Sequence, residues 1–584
     1  LKTLNRPELR LTCSTKPLTP ADNGFQKAAT GQYAILVSLF FDISVSVGIR
    51  QRLLMGQHLY IGVDVGSGKV RAGLFDATGK KLAHSDHPIR QFRPDRDFVE
   101  QSSSDIWRQV CHVVRTTIAD AAIKPEQVKG IGFDATCSLV AVGPEGKPVT
   151  VSPSGNDDQN IIMWMDHRAL KEAAEINATG SEVLKYTGGE ISPEMQLPKL
   201  KWLKRHLPDS YQRAGQFFDL ADYLVYRASG RKVRSVCTQV CKWTYLAHEQ
   251  RWDPSLLKQL DLDDLITSGK VGHTILEPGT AAGTLTNAAA SELGLTTHTT
   301  VAVGMIDAHA GGIGTIGENP ESTLVIVGGT SSCHMAVSKQ PIFVDGVWGP
   351  YWGAMVPGMW LNEGGQSAAG SLIDHVIQDS AFYPELKKMA ASQGRSEYDI
   401  LNEEVLRLEK QNPHFTAHFH LLGYHHGNRS PRADPHLKGM VSGLSLNRDL
   451  SELARVYMAA IQSVSYGTRH IIETMNNSGH QVSRIHMCGG GTRNPLWLRE
   501  HANVTGCDVI LSKEDETVML GSAMLAATAC GDFNNLTEAM TAMSATGKVI
   551  KPQAETRAFH DARYRVFHEM YDDQLKYKAM MHNF

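Results

Sequence analysis

The sequence predicts an α/β protein of two similar lobes around a shared cleft, and three observations carry that expectation. The stretch "YIGVDVGSGKVRAGLFD" (60–76) reads as an apolar strand, a tight Ser-Gly turn and a second strand antiparallel to the first. In the second half, "TLVIVGGTSSCHMAVS" (323–338) repeats the shape around a Gly-Gly-Thr-Ser-Ser turn. A supersecondary unit that recurs once in each half suggests a duplicated architecture. The third observation is length: 584 residues exceed what one hydrophobic core serves.

Composition narrows the partners. Apolar residues make up 42% and charged residues 20%, ordinary for a globular chain. A formal net charge of −3 offers no electrostatic pull toward nucleic acid or an anionic membrane. Nine cysteines are scattered, and the closest pair, Cys237 and Cys241, has no second pair nearby to complete a zinc site. Reduced thiols in a cytoplasmic protein are expected.

Residues 1–54 stand apart. They contain no Met, although the chain has 20, and the first is Met55, just ahead of an apolar strand. The run "YAILVSLFFDISVSVGI" (33–49) is broken by Asp42 and is short for a membrane span. It also begins too late for a signal peptide. Met55 is therefore read as the natural start and 1–54 as an N-terminal extension outside the core.

The first hairpin contains Gly-Ser-Gly-Lys, but it is no Walker loop. The position five before Gly68 is Val63, Lys69 is followed by Val70, and a strand rather than a helix comes next. A dinucleotide fingerprint from Gly66 fails at Arg71. Backbone N–H groups of a Gly-rich turn still form an anion-binding concavity, and Ser67 adds a hydroxyl. Asp64, two positions before the turn, either caps it or stands beside phosphates with a cation such as Mg²⁺ between them.

Further along, "GIGFDATCSLVAVGPEGKPV" (130–149) reads as a third strand pair with a polar turn. "MWMDHRA" (163–169) alternates Trp164, Asp166 and Arg168 along an extended segment, and "VCTQVCKWTYL" (236–246) carries Lys242 in weakly charged surroundings. "TTVAVGMIDAHAGGIGTIG" (299–317) runs from a strand into Asp307 and then into small residues suited to a helix packed closely on a sheet. "MWLNEGGQSAAGSLID" (359–374) places Glu363 and Gln366 at a Gly-rich helix start. "IHMCGGGTRNPLWLREHANVTG" (485–506) is a strand, three glycines and a helix from Asn494-Pro495, with room for a flat ligand on the backbone. Carboxylates, an amide, a Lys and an aromatic face are what a polyhydroxylated ligand needs, although each is also common as a structural residue. The histidine-rich segment 414–439 is punctuated by Pro431, Pro435 and Gly439, which mark a loop rather than a metal site.

Taken together, "DVGSGKVRAG", "WMDHR", "GMIDAHAGGIG", "GGTSS", "NEGGQSAAG", "GNRSPRADP", "CGGGTRNP" and "DETVMLGSAMLAA" resemble the FGGY carbohydrate kinases over about residues 58–575. Within that family "GIGFDATCSLVAV" and "NEGGQSAAG" look most like the pentulose kinases, closest to the D-ribulokinase branch. Lys69, where small or polar residues are more usual, is a modest departure. The resemblance implies two actin/hexokinase-like (ribonuclease H-like) lobes flanking an ATP/sugar cleft. It divides the chain into the extension 1–54, a lobe over 55–316 and a lobe over 317–584, with a short hinge at "IGENPEST". It implies ATP and Mg²⁺ as cofactors, a ketose or polyol substrate and a homodimer. By the same resemblance Asp307 is the catalytic base, and Asp64 orients Mg²⁺, if need be through water. Ser67, Thr330 and Ser331 hold phosphates, and Gly490, Gly491 and Asn494 face the adenosine. The sugar lies near Thr136, Cys137, Lys242, Asp307 and Glu363. Two other readings stay open: a kinase for another polyol or ketose (L-ribulose, xylulose, glycerol), and a non-catalytic ATP-binding protein on the actin/Hsp70-type fold.

Overall fold

Strand Leu59–Val65 is buried at every residue, the mark of a central strand covered on both faces. Lys81–Pro88 instead alternates half-buried and exposed positions, as an edge strand with one solvated face does. These strands belong to a computed structural model that describes residues 58–317 and 319–582. The expectations for 1–54, including the run 33–49 and the start at Met55, lie outside the described residues.

Two seven-stranded sheets organise the chain. In the first, Leu59–Val65, Lys69–Asp76 and Lys81–Pro88 form an antiparallel meander. Val128–Ala135 lies parallel to Leu59–Val65 on its other side, followed by Thr300–Ala302 in parallel and Ala281–Thr284 antiparallel. The second sheet repeats every sense of pairing. Thr323–Gly328, Ser332–Ser338 and Trp360–Gln366 form the meander. Arg484–Cys488 and Asp508–Ser512 add in parallel, and Thr546–Ile550 adds antiparallel. The duplication read from two turns thus extends to whole sheets.

The lobes are tied together by two crossing helices. Asp307–Ile313 leaves the first sheet and packs toward the second, where a Cβ on Gly311 would lie 3.4 Å from the Val327 side chain. Thr517–Ala529 follows strand Asp508–Ser512 of the second sheet yet lies on the first. It is buried almost all round, so it reads as apolar on every face. The close approach requires glycine: a Cβ on Gly62 or Gly132 would overlap the carbonyls of Met519 or Ser522. Where the helices cross, a Cβ on Gly521 would overlap the Ala310 carbonyl.

Three local expectations need correction. Within 130–149 the strand pairing around a polar turn is Leu139–Val142 against 147–149, where Val149 N–H donates to the Ala141 carbonyl at 3.2 Å, whereas Val128–Ala135 does not pair with Leu139–Val142. The chain kinks at Thr136, whose carbonyl accepts from Ser138 N–H at 2.7 Å, and Leu139–Val142 joins a separate four-stranded sheet. Segment 163–169 is a turn, with Asp166 N–H donating to the Met163 carbonyl at 3.2 Å. Glu363 and Gln366 lie on strand Trp360–Gln366, and the helix begins only at Gly370. The glycines that suggested a helix start instead admit neighbours to the strand: a Cβ on Gly365 would sit 3.2 Å from the Arg429 side chain.

Candidate active site

Sheet register assembles the centre. Asp64 stands level with Asp134 on the parallel neighbour and directly opposite Arg71 on the hairpin partner. Met305 pairs with Asp134, and two residues later Asp307 opens its helix. Three carboxylates therefore converge at the C-terminal ends of the central strands. Arg71 Nε donates to Asp64 Oδ2 at 2.7 Å, and its NH1 reaches Glu516 Oε2 at 2.7 Å, just before the crossing helix. Ser522 on that helix donates to Asp134 Oδ2 at 2.6 Å.

The electrostatics follow from this crowding. Burial, then the Asp64 charge, pushes Asp134 well above the usual carboxylate range. Burial, then the same Asp64 charge, raises Asp307 to about 6. The Ala308 N–H, which donates to Asp307 Oδ1 at 2.8 Å, works against that rise. A carboxylate so tuned is half ionised near pH 6, mostly ionised at neutral pH, and a stronger base than an ordinary carboxylate, which suits it to taking a proton.

The two turns are held by different contacts. Ser67 Oγ accepts from Trp164 Nε1 at 3.0 Å, and the Ser67 carbonyl accepts from Gln91 and Gln101. Lys69 reaches only Asp86, at 3.6 Å on the surface. In the second turn the Thr330 carbonyl accepts from Ala369 and Ser371 N–H at 3.0 and 3.1 Å, so the backbone is held while the Thr330 side chain stays exposed. Ser331 follows, half-buried, its carbonyl accepting from Gly329 N–H at 2.9 Å. Gly489, at φ 89°, presses against the Gly328 carbonyl and brings the third Gly run onto this turn. A Cβ at Gly490 would meet nothing within 4 Å, an open face for a flat ligand, and Gly491 backs onto Trp497. Asn494 is occupied at both ends of its amide. It caps Pro495–Thr505 through Leu496 N–H at 3.1 Å and donates to Tyr457 OH at 2.7 Å.

On the other side of Asp307 lie the polyol-binding candidates. Lys242 ends helix Val236–Lys242, with its ammonium 4.7 Å from the Trp348 ring centre. Burial opposes its charge, and Cys137 and Glu363 outweigh that, holding it well above the usual lysine range. Glu363 is buried, which disfavours its charge, but His309 and Lys242 overcome this and hold it down at about 2. Thr136 and Cys137 form the kink itself, Thr136 Oγ1 lying 3.1 Å from Ser138 Oγ. Arg429, buried near Trp348 at 5.5 Å, adds a second cation.

Asp166 and Arg168 belong to the scaffold. Arg168 bonds Glu100 at 2.8 Å and Asp166 at 2.7 Å with all three side chains inaccessible. Sequence reasoning missed Arg71, Asp134, His309 and Arg429. Signals existed for three of them. Counting outward from the first turn pairs Asp64 with Arg71, "GIGFD" repeats the pattern of "YIGVD", and His309 shares a turn with Asp307.

This arrangement of twin lobes and a carboxylate at their seam matches known proteins. The model of the FGGY carbohydrate kinase N-terminal domain matches residues 59–314, and that of the C-terminal domain matches 324–530. The chain belongs to the FGGY family of carbohydrate kinases and is a sugar kinase of the ATP-using class. A Homo sapiens protein named FGGY carbohydrate kinase domain-containing protein is 46% identical over 545 residues, covering 90% of this chain and 98% of the relative. A D-ribulokinase of Saccharomyces cerevisiae is 39% identical over 544 residues, covering 86% and 76%. The crystal structure of xylulose kinase from Rhodospirillum rubrum superposes with TM-score 0.74 at 21% identity, covering 89% and 99%, which speaks for the fold. Among the described residues no helix is long and apolar enough to cross a membrane.

Proposed function

We propose that the protein transfers the γ-phosphoryl group of ATP to the terminal (5-) hydroxyl of a ketopentose, with D-ribulose as the preferred substrate and D-ribulose 5-phosphate as the product. One observation carries the reading. Asp307, half-buried and raised to about 6, is within electrostatic reach of both Asp64 beside the first turn and Glu363, which in turn is held down by His309 and Lys242. The kinship with a D-ribulokinase supports the choice of sugar.

Phosphoryl transfer asks mainly for positioning and charge neutralisation. Asp307 takes the proton of the sugar hydroxyl as the new P–O bond forms. Thr136, Cys137, Lys242 and Glu363 hold the remaining hydroxyls. Ser67, Thr330 and Ser331 grip phosphate oxygens from the two lobes. Gly490 and Gly491 lie along the adenosine, and Asn494 shapes that surface by holding the helix start. Closure of lobes divided near 316–317 excludes water. A cytoplasmic homodimer completes the reading.

The donor set also suits Mg²⁺. Asp134 Oδ1 is buried without a hydrogen-bond partner and its carboxyl faces Asp64. Among the described residues no three such side chains are close enough to hold an ion by themselves, so phosphates and water would supply most ligands. Asp64, through water, and Asp134 beside it would hold the ion, which supplies neutralisation of phosphate charge when bound.

A panel of ketoses and polyols assayed by coupled ADP release tests the substrate. D-ribulose should exceed L-ribulose, xylulose and glycerol in kcat/KM, and a flat zero across the panel would move the protein to the non-catalytic class. Glu363→Ala should raise the sugar KM by about ten-fold or more and change kcat less, because its partners are left unpaired in a buried site. An unchanged sugar KM would remove Glu363 from the sugar's contacts.

A further inference from the structure

Behind Glu363 lies a buried relay that the chemistry above does not use. His309 is inaccessible to solvent, and both of its ring nitrogens are engaged. Nδ1 lies 3.0 Å from Cys237 Sγ, and Nε2 lies 3.2 Å from Glu363 Oε2. The three residues come from helix Val236–Lys242, helix Asp307–Ile313 and strand Trp360–Gln366, so the relay ties both lobes to one carboxylate. Among the described residues this is the only side-chain hydrogen bond to Glu363.

We propose that Cys237 and His309 are positioning residues: the cysteine sulfur fixes the imidazole so that its Nε2–H always points at Glu363, which locks that carboxylate for the sugar hydroxyls. This rests on the sugar-kinase reading of the site. A neutral imidazole has one N–H and chooses between its nitrogens according to what faces each. If Cys237 donates S–H to Nδ1, the proton must sit on Nε2. If Cys237 is a thiolate, Nδ1–H donates to it and the doubly protonated ring again presents Nε2–H to Glu363. Burial favours the thiol. Cys241 and His309 overcome it and bring Cys237 down to about 5, so the second form dominates. Backbone N–H of Ile306, at 3.4 Å from Sγ, also favours a sulfur that accepts. Burial works against charge on His309, but Cys237 and Glu363 hold it up at about 10. Without the sulfur, Nδ1 loses its partner and its proton; the Glu363 carboxylate keeps the other proton on Nε2, but the ring is no longer anchored from behind and its charge-assisted hold on Glu363 weakens.

The test combines kinetics and histidine ¹⁵N NMR on the full chain at one pH. Cys237→Ala should raise the ketose KM about ten-fold, with kcat lowered less than about three-fold and the ATP KM unmoved. Cys237→Ser, which keeps a group able to donate to Nδ1, should restore the KM to within about two-fold of the parent. In the spectra, the signal lost in His309→Gln identifies His309. Its Nδ1 should be protonated in the parent and lose that proton in Cys237→Ala, while Nε2, facing the Glu363 carboxylate, keeps its own throughout. An unchanged Nδ1 signal and ketose KM in Cys237→Ala would overturn the proposal. So would ketose and ATP KM rising together in step with a lower unfolding midpoint. Failure of the parent to turn over any ketose would count against the substrate reading alone, because the NMR arm needs no turnover.

Discussion

Asp307→Asn is expected to lower kcat by about 10²- to 10⁴-fold, the usual range for loss of a general base. ATP affinity, measured by calorimetry, should stay within about two-fold, because in the proposed reading Asp307 meets the sugar hydroxyl and not the nucleotide. The amide is isosteric with the carboxyl and can still accept from Ala308 N–H, so the helix start survives. The same residue sets the pH response. A base acts only when deprotonated, and Asp307 is raised to about 6, so kcat/KM of the parent should climb through about pH 6 and level off above it. The direction is diagnostic, since an acid acting in its protonated form would give a falling limb there. A variant retaining near-parental kcat would remove Asp307 from the chemistry.

Arg168→Leu is expected to cost about 3–5 kcal/mol of stability, the range for breaking a buried ion pair from one side. It strands Glu100 and Asp166, both inaccessible, with nothing to balance their charge. The Phe98 ring, 4.0 Å from the guanidinium carbon, also loses its partner. Urea unfolding should show the fall, and adding Glu100→Gln and Asp166→Asn should return part of it by removing the stranded charges. The molecules that still fold should bind ketose with an unchanged KM, because this cluster supports the pocket from behind. A stable variant with a large rise in ketose KM would instead place Arg168 against the sugar.

Much of this molecule was legible in local patterns. Apolar, β-branched runs around Gly-rich turns identified both hairpins, and the turn beginning at Gly66 is a hairpin as read. The start of a helix at Asp307 and the cap at Asn494 were equally plain, because capping and small-residue patterns act within a few positions. Glycine was the misleading signal. Around Glu363 it suggested a helix start, where Gly364 and Gly365 in fact let Ile471 and Arg429 approach a strand. A glycine advertises that something comes close, and its own sequence does not say what. The segment at Thr136 failed for a related reason: two apolar strands separated by a polar kink look like a hairpin whether or not they pair.

The sequence by itself determined the class of fold, the duplication and the residues proposed for the cleft, because these depend on strand patterns, turn chemistry and recurring motifs. Only the tertiary structure decided which charges meet. Asp134 faces Asp64 because two strands far apart in sequence align in parallel register, and Arg71 reaches Glu516 because a helix from the second half crosses onto the first sheet. Cys237, His309 and Glu363 form one relay only after three elements converge. A pKa near 6 on Asp307 is a property of that convergence, since burial and neighbouring charge, rather than the residue itself, set its proton affinity.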